Sequence, residues 1–232
     1  VINMVILAAY IYAIYIGINP MLVTVAVSVI FTYVILFYQN ETNQKTKVSL
    51  AAVLIVIFIM IPFIHLITAG LASHGISEFQ YEITDSNGYT RNIGLNMLSL
   101  QNSVLVIALI GTMCDTAIAI ASSIFEISDK TPEISAAELM KSSREVSKYI
   151  LSTSMHTIFY IYMAEFMTLI MQFVRFLSFS EMINSSAFAE GVLSIVITGC
   201  GCCLVIPITA LLSRFAAGNR TNPKNKFFEA KK

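Results

Sequence analysis

The chain has 232 residues, 56% of them hydrophobic and 12% charged, against roughly 45–50% and about 25% in an average soluble domain. Its uncharged runs exceed the ~18 residues that span a bilayer, which excludes an ordinary soluble globule and predicts an all-α, polytopic helical membrane protein with lipid as its first partner. Fourteen Lys and Arg balance fourteen Asp and Glu, so net charge gives nucleic acid no hold.

Six apolar segments follow in chain order, at about 1–17, 20–38, 48–70, 97–127, 148–174 and 190–213. Each is long enough to cross at 1.5 Å per residue, the first only marginally. They define a transmembrane domain over residues 1–213 and leave a basic tail at 214–232. The opening VINMVILAAYIYAIYIG lacks a small-residue cleavage site and meets a second apolar run at once, so it reads as a span and not as a signal peptide. Because the chain starts at Val1 and not at Met, residues upstream of it are expected. Gly17-Ile18-Asn19-Pro20 ends one helix and caps the next, predicting a tight helical hairpin. Pro207 predicts a kink in the last span.

The segment 71–95 carries Glu78, Glu82, Asp85 and a Ser86-Asn87-Gly88 turn, and reads as an outer loop. The inner connection 128–147 differs. Ser135-Ala136-Ala137-Glu138 has the capping-box pattern, and Lys141, Glu145 and Lys148 are helix-spaced opposite charges. This predicts a short amphipathic helix at the cytoplasmic interface, leading into the fifth span. Alternate connections hold Lys45 and Lys47; Lys130, Lys141, Arg144 and Lys148; and Arg214, Arg220, Lys224, Lys226, Lys231 and Lys232. The others hold only Arg91 and Arg175, so positive-inside bias places both termini in the cytoplasm. Cys114, Cys200, Cys202 and Cys203 all fall in predicted spans, where a thiol packs as a small apolar group. A metal site on the CGCC run would call for His or carboxylate partners, so no metal or other cofactor is expected.

One carboxylate stands inside the fourth span, in GTMCDTAIAIASS. Near the bilayer centre an ionised Asp costs about 2.5–3.5 kcal/mol, so Asp115 needs compensation. Gly111, Thr112, Asp115, Ala119, Ser122 and Glu126 follow steps of three and four, a small polar stripe that should face other helices or a hydrated cavity. His156, with Ser152 and Tyr160 on its face of the fifth span, falls within about one helical turn of Asp115 in depth and is a candidate partner. Glu165, on a different face in line with Ser154 and Ile158, is a weaker candidate. His65 lies near the outer end of the third span, where an interfacial role is the default.

Two readings follow. Asp115, Thr112, Ser122, Glu126 and His156 line a path for a small solute or ion; alternatively the stripe is a packing surface, with Gly111 and Ala119 permitting close helix approach. An enzyme is not expected. Asp115 is the only Asp in a predicted span, whereas aspartyl chemistry needs two. The Gly-x-Ser-x-Gly, His-Glu-x-x-His and phosphate-loop patterns are also missing from the chain.

The run from Asn92 to Tyr160, and above all the G-x-x-x-D-x-A-I-x-I-A-S-x-x-x-E pattern from Gly111 to Glu126, resembles the YibE/F family of bacterial multipass membrane proteins. The likeness continues more loosely through the sixth span. It implies a plasma-membrane protein of the shorter, YibF-like type, of a kind usual in Gram-positive bacteria, and a homo-oligomer or a hetero-oligomer with a related YibE/F chain. Asp115 matches the family's carboxylate position, and the resemblance transfers no catalytic residue. Tyr149 and His156 stand where the family pattern has an acidic residue and an Asn, so a polar site built on those two positions is altered here.

Overall fold

The computed structural model describes residues 2–38, 42–70, 82–84, 90–92, 97–131, 134–173 and 178–221. The Ser86-Asn87-Gly88 turn, most of the outer loop, the tail beyond Thr221 and the side chain of Glu165 lie outside the described residues. Seven α-helices are present among them: α1 Ile2–Tyr15, α2 Pro20–Tyr33, α3 Gln44–Gly70, α4 Met97–Lys130, α5 Ala136–Phe173, α6 Phe179–Ile183 and α7 Ser186–Thr221. A π-helical turn, Val34–Tyr38, continues α2. The described part of the outer loop contains an antiparallel ribbon of β1 Glu82–Thr84 and β2 Thr90–Asn92, with Ile83 opposite Arg91.

The first hairpin forms as the sequence predicts. Gly17 turns the chain at φ 94°, a backbone conformation that Gly adopts without steric cost. The Asn19 side chain then accepts from the Met21 N–H at 3.0 Å, with Pro20 at the first helical position. Thr24, Ser28 and Thr32 line the buried side of α2, each satisfying its hydroxyl on a backbone carbonyl one turn back, and Tyr10 Oη meets Thr24 Oγ1 at 3.0 Å across the hairpin.

Among the described residues four helical stretches are long and apolar enough to cross a membrane: Pro20–Tyr38, Gln44–Gly70, Leu98–Lys130 and Phe188–Ala217. Helix α1 is apolar but short. Helix α5 is long, but its first third carries Glu138, Lys141, Arg144, Glu145 and Lys148. The short amphipathic helix expected to lead into the fifth span is the first part of one long helix. A single uninterrupted helix runs from Ala136 to Phe173, because its 38 residues include neither Gly nor Pro to break it. Its start is the expected capping box: the Glu138 N–H donates to Ser135 Oγ, while Ser135 N–H and Oγ–H donate to Glu138 Oε2. These bonds hold the Glu138 carboxyl below the usual glutamate range, the hydroxyl contributing most. A second capping box, Ser178 with Glu181, starts α6 and depresses the Glu181 carboxyl, its backbone bond first.

Helix α4 is the centre of the molecule. It packs on α2, α3, α5 and α7, and Leu105, Leu109, Ile110, Met113 and Ala117 interlock with Val53, Val56, Met60 and Ile64 of α3 and with Ile197 and Val205 of α7. Its closest approach is to α7 at Gly201, where an added Cβ would overlap Leu109 Cδ1 and stand 3.3 Å from Met113 Sδ. Toward the Lys130 end of α4, helices α4, α5 and α7 continue together, with Ile120 and Ile124 against Leu139 and Ala210. At 1.5 Å per residue α4, α5 and α7 are each about 50–57 Å long, well beyond a hydrocarbon core of about 30 Å.

Candidate functional site

The burial pattern of α4 isolates one face. Along the helix Gln101, Leu105, Leu109, Met113, Thr116, Ile120 and Ile124 are buried. Gly111, Asp115 and Glu126 are exposed, and Thr112, Ala119 and Ser122 are half-buried. Gly111, Asp115 and Glu126 therefore mark a side of the central helix that the described helices leave open, with Thr112, Ala119 and Ser122 at its half-covered margins. A Cβ placed on Gly111 would meet nothing within 4 Å. The close packing inside the chain uses Gly201, not Gly111.

Within the stripe the groups behave differently. Thr112 donates to the Leu109 carbonyl at 3.0 Å. Glu126 pairs with Lys130 at 2.6 Å on an exposed turn at the end of α4. Asp115 has no ion pair or hydrogen bond among the described residues.

His156 does not reach it. Helix α5 presents Ser154 to α4, and His156 is exposed, two residues further on and so about 200° around the helix. The depth match between Asp115 and His156 is not accompanied by a shared face.

The polar contact between helices lies one residue along from the carboxylate. Thr116 Oγ1 meets Ser154 Oγ at 3.1 Å and Cys202 Sγ at 4.0 Å, and also donates to its own helix at the Thr112 carbonyl at 2.8 Å. Thr116 thus ties α4 to α5 and α7. Further out, Tyr162 Oη and Thr198 Oγ1, 3.3 Å apart, join α5 to α7. The signal for Thr116 was present as a hydroxyl four residues after Thr112, but it reads as part of the apolar face because Met113, Ala117 and Ile120 surround it. His65 of α3 accepts from the Asn102 amide at 3.4 Å, and Asn102 is buried with its Oδ1 unpartnered. Among the described residues no three His, Cys, Asp or Glu side chains gather into one cluster.

This arrangement, a central polar-striped helix in a bundle of long apolar ones, can be compared with known families. The model of the family described as YibE/F-like protein matches residues 1–219. The chain belongs to that family. The match covers every described helix except the last two residues of α7, so the YibE/F-like region includes both the Asp115 stripe and the Thr116 contact. No curated protein and no solved structure matches it.

Proposed function

We propose that this YibE/F-like chain is a six-crossing subunit of a bacterial plasma-membrane permease for a small solute or ion. In this reading both termini are cytoplasmic, and a second YibE/F-like chain, identical or related, covers the polar face of α4. The observation that carries the reading is Asp115 on an open face of an otherwise buried helix. A carboxylate left against lipid at mid-depth costs about 2.5–3.5 kcal/mol when ionised, so the functional assembly supplies water, a cation or polar groups there. Thr112 and Ser122 flank it on the same face, and neither Lys nor Arg lies within four residues of Asp115 along the helix. A face of this kind suits a cation or proton better than an anion. Helices α1 and α5 supply the two crossings beyond the four apolar ones, α5 by its last two-thirds and α1, about 21 Å long at 1.5 Å per residue, by local thinning of the bilayer around it.

Two measurements test this. In proteoliposomes, a proton or cation flux that the wild-type chain supports should fall by tenfold or more in Asp115→Asn, with the variant still monodisperse; equal flux in wild type and variant removes Asp115 from the path. Cysteine placed at Gly111 should cross-link to a second chain in the membrane, and failure of every cross-linker length there refutes the covered face. Gly111, with open space above it, also favours a narrower reading, a non-transporting assembly subunit. That reading predicts the cross-link without the flux.

A further inference from the structure

Four sulfur-bearing side chains, Met60, Met155, Cys200 and Cys203, line one groove that the polar stripe does not touch. The groove, of about 630 Å³, is lined by Ile59, Met60 and Phe63 of α3, Met155 of α5, and the α7 face that carries Gly199, Cys200 and Cys203. Cys200 and Cys203 are one turn apart, which brings their Cβ atoms to about 5–6 Å. Cys203 is exposed, Cys200 half-buried, and neither is in a disulfide. Met155 leans onto α7 at the same level: its Sδ lies 3.7 Å from where a Cβ of Gly199 would stand, beside Cys200 and one turn from Cys203. Met60 closes the other wall.

The sequence reading dismissed a metal on the CGCC run because no His or carboxylate was at hand. The groove supplies another donor type. Thiolate and thioether together are a soft donor set, which suits Cu(I) and is poorly matched to Mg²⁺ or Ca²⁺. Charge also fits the surroundings, which are almost wholly apolar. Binding one Cu(I) with release of one thiol proton already gives a complex of net charge zero, whereas a divalent ion reaches neutrality only when Cys200 and Cys203 are both ionised in hydrocarbon.

We propose that this groove is a Cu(I) site, with Cys203 as thiolate ligand, Cys200 and Met155 completing a sulfur-only shell, and Met60 packed behind them. The test uses the full purified chain in nanodiscs under anaerobic reducing conditions, with Cu(I) alone as probe and bicinchoninate as competitor. Wild type should withhold one Cu(I) per chain, and X-ray absorption should show sulfur as the only near neighbours. C200S/C203S should weaken binding by at least about tenfold, the lower end of what loss of a supporting group costs a metal site. Cys114→Ser, remote from the groove, should bind as wild type does. Unchanged binding in C200S/C203S, loss of binding in Cys114→Ser, or oxygen and nitrogen neighbours in the spectrum would each overturn the site. Should the double variant not elute as a single species, wild type alone decides: one equivalent of Cu(I) either protects Cys203 from maleimide, as expected, or leaves its labelling rate unchanged and refutes the proposal.

Discussion

Gly201→Ala and Gly111→Ala form a pair in which one energetic contribution cancels. Both glycines sit inside long helices, α7 and α4, so each substitution gains the same helix propensity, about 1 kcal/mol. Their surroundings differ completely. The new methyl at 201 overlaps Leu109 Cδ1, with Leu109 Cγ at 3.1 Å and Met113 Sδ at 3.3 Å, and both side chains are fully buried; at 111 nothing lies within 4 Å. Overpacking of this kind costs about 1–3 kcal/mol, and that cost is the whole difference between the two variants. For a chain of this size each kcal/mol moves the midpoint by about 2–4 °C. Thermal unfolding of the single chain in detergent should therefore place Gly201→Ala roughly 2–12 °C below Gly111→Ala. Leu109→Ala in the Gly201→Ala background should show a coupling of about 0.5–3 kcal/mol, because the methyl then occupies space the leucine has left. A Gly201→Ala protein that melts at or above Gly111→Ala would refute the close α4–α7 contact.

Thr116→Val removes the contacts to Ser154 and Cys202 while keeping the shape, and at about 0.6 kcal/mol per interhelical bond the two together should lower the midpoint by about 2–5 °C in the same assay; a loss as large as that of Leu109→Ala would contradict it. Glu138 is held below the ordinary glutamate value by Ser135, so its contribution to the start of α5 is fully present above about pH 4.3 and is lost as pH falls through the lowered folded value. The midpoint difference between wild type and Glu138→Gln should accordingly close between pH 5 and pH 3, and a difference independent of pH would refute the cap. A periplasmic-type reporter fused after Lys232 should be inactive and a cytoplasmic reporter active, the reverse result placing the C-terminus outside.

The helices were legible because a bilayer demands long apolar runs and satisfied backbones, and both demands are written locally. The Asn19–Pro20 hairpin and the Ser135–Glu138 cap were legible for the same reason: a cap is a matter of three or four neighbours. The continuity of α5 is hidden in the sequence by the change of composition near Lys148, which is not a change of structure. Charge alters where a helix leaves the membrane, but only Gly, Pro or a capping side chain ends it. Helix neighbours were not legible. Hydrophobicity does not distinguish a residue facing lipid from one facing another apolar helix, so Gly111 and Gly201 look alike in the sequence and only the fold reveals that Gly201 is the tight one.

The same limit explains the offset between Asp115 and Thr116. Adjacent residues on a helix point about 100° apart, so the two polar groups serve different neighbours although they touch in sequence. Thr116 can be buried because a hydroxyl satisfies itself on the Thr112 carbonyl and still reaches Ser154. Asp115 has no such internal recourse, since an ionised carboxylate only accepts and the helix backbone around it has no free N–H to give. A chain that needed only a polar tie between α4, α5 and α7 already has one in Thr116. Asp115 is a second polar group, on the next face and exposed among the described helices, and it adds nothing to that tie. Asp115→Thr makes that argument quantitative: it should leave the stability of the single chain unchanged or slightly raised while abolishing whatever the assembled protein does at that face. A stability loss beyond about 1 kcal/mol, the scale of one lost hydrogen bond, would show that the carboxylate serves its own fold after all.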